Sequence, residues 1–151
     1  MERDFFGVCM SIKAKAIKYI KNVSSVDGEK FVYGGSKYEV GKTWNLTYTK
    51  EQHRGEKGDL VVLWQKGKLS HIVEIVDPEI KLNKNKPVFK YYNKVKTIAI
   101  INNGLVKAKS SLRNYDMRCL GGNTNLVSID AIAKTAAEAG VLRKNLVKDF
   151  K

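Results

Sequence analysis

At 151 residues and 43% apolar composition, the chain is large enough to bury a sizeable core, and bulk disorder is not expected. Its two cysteines, Cys9 and Cys119, lie far apart with no Cys/His cluster, so neither a disulfide scaffold nor a metal site is expected. The net charge of +13 is uneven: segments 1–30, 31–80, 81–118 and 119–151 carry +2, 0, +9 and +2, a localised positive field that suits a polyanion, nucleic acid first.

The chain begins MERDFF, with acids where a targeting segment would carry a basic lead. No stretch reaches the ~18 apolar residues that a bilayer span needs. A soluble, intracellular, cytoplasmic protein with no membrane partner is therefore expected. Ile12, Ala16, Ile20 and Val23, with Lys13, Lys15, Lys18 and Lys21 between them, predict a helix over 8–22 that packs on its own sheet. FVYGG (31–35) reads as a short strand, and residues 38–49 as a second, with Val40, Trp44, Leu46 and Tyr48 as its larger apolar members. A polar turn follows at 55–59.

The most regular stretch is RGEKGDLVVLWQKGKLSHIVEIVD, residues 54–77. It predicts a hairpin closed by a type II′ turn at Gly67-Lys68. In that register Trp64 faces His71, Val62 faces Val73 and Leu60 faces Ile75. Both faces are apolar, so both need a cover. Pro78 is expected to end the second strand. After a Lys/Asn loop at 79–87, residues 88–92 and 95–101 predict two more strands, and Asn102-Asn103-Gly104 a turn. Ser128 can cap a helix running to about Ala139, with Gly140 as its stop. Leu142, Leu146 and Phe150 then suggest a last short helix. The expected architecture is α+β: one domain over 1–151, a small antiparallel β-barrel of five or six strands at about 31–118, and flanking helices at about 8–22 and 128–150.

The hairpin resembles those of the PUA-like superfamily, and within it the EVE-type domains related to YTH readers. The shared elements are the Gly58-Asp59 turn, the strand Leu60 to Trp64 with its aromatic end, the isoleucine/valine run from His71 to Val76, and the upstream Trp44. The likeness spans roughly 31–118 and is specific over 54–77. It implies a PUA-like barrel that reads nucleic acid, DNA or RNA, in some members through a flipped or modified base held in an aromatic pocket. Only two tryptophans are present, fewer than a full reader cage carries.

On that reading Trp44 and Trp64 wall a base pocket, with Tyr33, Gln65 and Glu74 near its edge. Core packing is the plain alternative for either tryptophan. Lys90, Tyr92, Lys94 and Lys96 alternate and so share one face, a phosphate track with a stacking ring or an edge strand guarded by lysines. Arg113 and Arg118 are the arginines best placed for phosphate contacts. No cofactor is expected, and the leading reading is non-catalytic. A related ASCH-type alternative is an amidohydrolase or nuclease acting on modified nucleosides or RNA. It takes Thr43 as nucleophile, Lys42 as base and Glu74 as proton shuttle, although Lys42 and Thr43 are adjacent and face opposite ways in a strand. A third reading is a basic module that meets a protein partner or serves a separate effector nuclease.

Overall fold

The β-branched and aromatic runs in the middle of the chain become strands, as their fit to a pleated, half-buried surface dictates. The computed structural model describes residues 12–23, 32–65, 68–101, 112, 115 and 125–150. In chain order these form β1 (Ile17–Asn22), β2 (Thr43–Tyr48), β3 (Leu60–Gln65), β4 (Lys68–Leu82), β5 (Tyr91–Ile100), β6 (Val127–Ser128), α1 (Ile129–Ile132) and α2 (Ala136–Asp149). Two 3-10 turns lie at Ala14–Ala16 and Ser36–Tyr38. The strands make one mixed sheet in the order β2-β5-β4-β3-β1-β6, so the fold is α+β. Among the described residues no helix is long and apolar enough to cross a membrane.

Among the described residues the sheet is not closed into the expected antiparallel β-barrel. Its described strands end at β2 on one side and β6 on the other, and β1 runs parallel to β3. It is nevertheless strongly curled. Three strands separate β1 from β2, about 19 Å across a flat sheet. Yet the Lys21 ammonium of β1 lies 4.9 Å from the Tyr48 ring centroid of β2. The concave face thus closes on its own side chains without closing its hydrogen-bond ladder.

The predicted helix over 8–22 is overturned where it is described: residues 17–22 are β1, buried between β3 and β6. Pairing on both sides overrides a pattern that also fits helical spacing. Residues 32–33 form a turn rather than a strand. The two strands expected at 88–101 are one, β5. Pro78 does not end β4. Asp77 pairs with Lys94 and Lys81 with Tyr92, so residues 78–80 bulge opposite Asn93 alone. An irregularity of this kind is where a strand tolerates proline.

The hairpin turn falls one residue earlier than predicted. Gln65 pairs with Lys68, Leu63 with His71, Val61 with Val73 and Leu60 with Glu74, with a register shift after Leu63. A one-residue slip exchanges the faces. His71 now shares a face with Leu63, and Trp64 belongs to the other. Two cores result. Ile20, Leu60, Val62, Leu69 and Ile72 pack beneath Leu142, Leu146 and Phe150. Leu46, Tyr48, Val61, Leu63, Val73, Ile75 and Val95 fill the concave side.

The C-terminal helices keep their predicted cap and stripe. The Asp130 N–H donates to Ser128 Oγ at 3.1 Å, and Leu142, Leu146 and Phe150 are buried. The break lies at residues 133–135, not at Gly140, and Thr135 Oγ1 accepts from the Glu138 N–H at 3.1 Å to start α2.

Gly55 fixes the approach to β3. Its φ is +100°, and a Cβ there would stand 2.6 Å from Ile75 Cδ1 and 3.2 Å from Leu126 Cδ1. Gly55→Ala is expected to destabilise by roughly 2–4 kcal/mol through strain and overpacking together. Gly58→Ala, at φ +94° with open space around it, should lose only about 1 kcal/mol. Urea denaturation of both checks this, and equal losses would mean that the crowding at Gly55 is relieved freely.

Candidate nucleic-acid interface

Trp44 alternates with Leu46 and Tyr48 on the buried side of β2 and is 6% exposed. Its indole is enclosed by aromatic rings. The centroid of Tyr33 lies 4.3 Å away, that of Tyr38 5.0 Å and that of His71 5.9 Å. Its Nε1–H donates to Thr97 Oγ1 at 2.8 Å, and that hydroxyl donates onward to the Tyr38 carbonyl at 2.8 Å. Trp64 packs half-buried against the helix-side core. The two tryptophans therefore lie on opposite faces of the sheet and do not wall one pocket. Glu74, paired with Leu60, is parted from Trp44 in the same way.

Gln65 has a structural role. Its Oε1 accepts from the Val32 N–H at 2.8 Å, while Nε2 donates to the Val32 carbonyl at 3.1 Å and to Ser70 Oγ at 2.9 Å. Ser70 Oγ lies 2.8 Å from His71 Nδ1, and His71 Nε2 lies 3.0 Å from the Tyr33 carbonyl. A carbonyl only accepts, so Nε2 carries the proton and Nδ1 accepts from the serine. Burial lowers the imidazole to about 4, which keeps it neutral at ordinary pH. The chain of bonds holds Tyr33 at a φ of +64°, a strained value for a bulky residue. Its hydroxyl, raised in pKa by burial, lies 2.9 Å from Thr47 Oγ1 and accepts from the Thr47 N–H at 3.1 Å. The segment is thus clasped over the concave face.

The alternation predicted for β5 is present. Tyr92, Lys94 and Lys96 face away from the buried Asn93, Val95 and Thr97, whereas Lys90 lies in the loop before the strand. Three cross-strand rows result: Thr43–Lys96–Glu74, Asn45–Lys94–Asp77 and Thr47–Tyr92–Lys81. Carboxylates from β4 answer two of the lysines. Lys96 Nζ is 3.8 Å from Glu74 Oε1, and Lys81 Nζ is 4.0 Å from Asp77 Oδ2. Lys42 lies beside Thr43 in the chain, but it is Lys96 that the sheet sets across from Thr43.

No family model, curated protein or solved structure matches this chain. Its surface chemistry must therefore carry the functional reading.

A run of positive charge with no acid in its sequence lies at the far end of the β4–β5 ribbon. From Lys81 to Lys96 there are six lysines and no acid. Lys84, Lys86, Lys90 and Lys94 are exposed, as are the apolar Leu82 (47%) and Val88 (42%). The tip is ordered by its own polar groups: the Asn83 N–H donates to the Lys90 carbonyl at 2.6 Å, and Asn83 Oδ1 accepts from the Asn85 N–H at 3.1 Å. Its base is anchored by Ile80 and Tyr91 against the concave core. Arg54 is committed elsewhere, donating to the Leu126 carbonyl at 3.3 Å. Arg113, Arg118, Cys9 and Cys119 lie outside the described residues. A cleft of about 430 Å³ beside the bulge of β4 is lined by Glu51, His53, Asp77 and Glu79, and its acids disfavour a phosphate.

Proposed function

We propose that the protein is a non-catalytic nucleic-acid-binding module whose contact element is the β4–β5 ribbon. The observation that carries this reading is the ordered tip with four exposed lysines at 84, 86, 90 and 94 and no acid between residues 81 and 96. A two-stranded ribbon fits the major groove of B-form DNA, and lysines gain affinity by releasing counterions from phosphates. Leu82 and Val88 add apolar surface to the same tip. The PUA-like resemblance over 54–77 supports the same ligand class. The enclosed surroundings of Trp44 favour backbone contact over uptake of a flipped base.

The test is fluorescence anisotropy with short duplex and single-stranded DNA and RNA over a range of salt. The Lys84→Ala/Lys86→Ala/Lys90→Ala variant is expected to bind at least tenfold more weakly at low salt. The slope of log K against log salt should fall by about 0.9 per lost contact on duplex DNA. An unchanged slope would remove the ribbon from the interface.

One observation favours a second reading, an amidohydrolase acting on modified nucleosides. The row Thr43–Lys96–Glu74 sets a hydroxyl, an amine and a carboxylate side by side, with Lys96 in the part expected for Lys42. Release of acetate from an acetylated nucleoside, abolished by Thr43→Ala, would support it.

A further inference from the structure

A second basic site lies away from the ribbon, where the 3-10 turn at Ala14–Ala16 and the start of β1 meet α2. A concave space of about 280 Å³ is lined by Ala14, Lys15, Lys18, Gly140, Arg143 and Lys144. Gly140, Arg143 and Lys144 stand at i, i+3 and i+4, one face of the helix. Lys15 and Lys18 come from a part of the chain more than 120 residues earlier, so the fold alone assembles the four cations.

Two features mark this as more than a solvated surface. The first is the arginine. Its Nε–H donates to the Ile17 carbonyl at 2.7 Å, which fixes the guanidinium at the rim. Its Nη2 is 3.9 Å from Asp130 Oδ1, a carboxylate 74% exposed and so largely screened. Among the described residues Lys15, Lys18 and Lys144 have no acidic partner within ion-pair distance. Four like charges around one concavity repel one another, and an anion seated among them relieves that repulsion. The second is the glycine. Gly140 sits inside α2, where glycine is about 1 kcal/mol worse than alanine. A Cβ there would meet no atom within 4 Å, and the backbone does not require glycine. Packing therefore gives no reason for it, whereas its missing side chain leaves the space between the cations open.

We propose that this pocket binds a phosphomonoester group. The geometry suits a compact dianion: a guanidinium fork held by the Ile17 carbonyl, three ammonium groups, and two small residues, Ala14 and Gly140, in the same lining. A phosphomonoester carries −1.5 to −2 charges near neutrality, about twice those of a backbone phosphodiester. A concavity of about 280 Å³ suits a single group better than a strand in transit. The source is either a free nucleotide or the phosphorylated end of a nucleic-acid strand.

The experiment is amide NMR of the full chain titrated with adenosine monophosphate, with a single-stranded oligonucleotide bearing a terminal phosphate, and with the same oligonucleotide lacking it. Saturable shifts at Lys18, Gly140 and Lys144 with either phosphorylated probe would support the site, and which probe acts identifies the source. Gly140→Leu, which adds helix propensity and no charge, is expected to weaken binding at least tenfold by filling the space. Lys18→Ala/Lys144→Ala should weaken it comparably. The ribbon variant lacking Lys84, Lys86 and Lys90 should retain these shifts, so failure of the ribbon reading and failure of this one are separable. Absence of shifts with both phosphorylated probes would overturn the proposal. So would binding unaffected by Gly140→Leu, or equal shifts from the unphosphorylated strand.

Discussion

Replacing Lys21 with methionine is expected to raise stability at neutral pH and to remove most of its rise from pH 7 to 10.5. The side chain is fully buried in β1, and burial lowers its ammonium from 10.5 to about 7. Between those values the unfolded chain holds a proton that the folded chain releases, so the Lys21 contribution to stability climbs with pH through that window. Above 10.5 both states are neutral and the burden vanishes; below about 7 both are charged and it is complete. At about 1.4 kcal/mol per pKa unit the full effect is several kcal/mol. Part is already offset in the native protein, because the ammonium lies over the Tyr48 ring at 4.9 Å and donates to the Asn22 carbonyl at 3.4 Å. Methionine keeps the length of the stem and loses these contacts, leaving a net gain of roughly 2–3 kcal/mol at pH 7. Urea denaturation of both proteins across the window isolates the residue, since exposed lysines cancel in the difference. Parallel pH profiles would show that Lys21 is charged and compensated in the fold.

The same residue shows why part of this fold was hidden in the sequence. Lys13, Lys15, Lys18 and Lys21 punctuate apolar positions at helical intervals, and only the pairing of Tyr19 with Val61 and Ser128 reveals a strand with Lys21 on its buried concave side. The hairpin strands were legible because Leu60 to Trp64 is an unbroken β-forming run. Its register was not, because Gly67 serves equally as the second residue of one two-residue turn or the first of the next. That single ambiguity put Trp64 on the face of His71, whereas the structure sets the two on opposite faces. The alternation of Tyr92, Lys94 and Lys96 was legible for the reason that makes strands legible at all, a period of two. The carboxylates that answer Lys96 and Lys81 were not, since their positions depend on bulges in β4. Nor was the basic pocket, whose halves lie at opposite ends of the chain; Gly140, which lines it from inside α2, reads in the sequence as a helix stop.

Trp44→Ala is expected to destabilise by roughly 3–5 kcal/mol, the range for truncating a large buried aromatic, and Trp64→Ala by less. Trp44 loses its tilted ring contact with Tyr33, its edge contact with Tyr38 and its bond to Thr97, while Trp64 is already half-solvated against the helices. The pairwise energies are more telling than the single losses. In a double-mutant cycle, Trp44 and Tyr33 should couple by about 0.5–1.5 kcal/mol, as ring pairs do. Trp44 and Trp64, on opposite faces with no shared neighbour among the described contacts, should be additive within about 0.5 kcal/mol. The cycle also bears on function. Coupling of Trp44 to Trp64 well above that margin would mean that the two rings meet, and a shared aromatic pocket would again be the place to look for a flipped base. Additivity leaves Trp44 as the brace of the clasped Tyr33 segment, and a ligand that quenches fluorescence must then act on the exposed side of Trp64 or through a movement of that clasp.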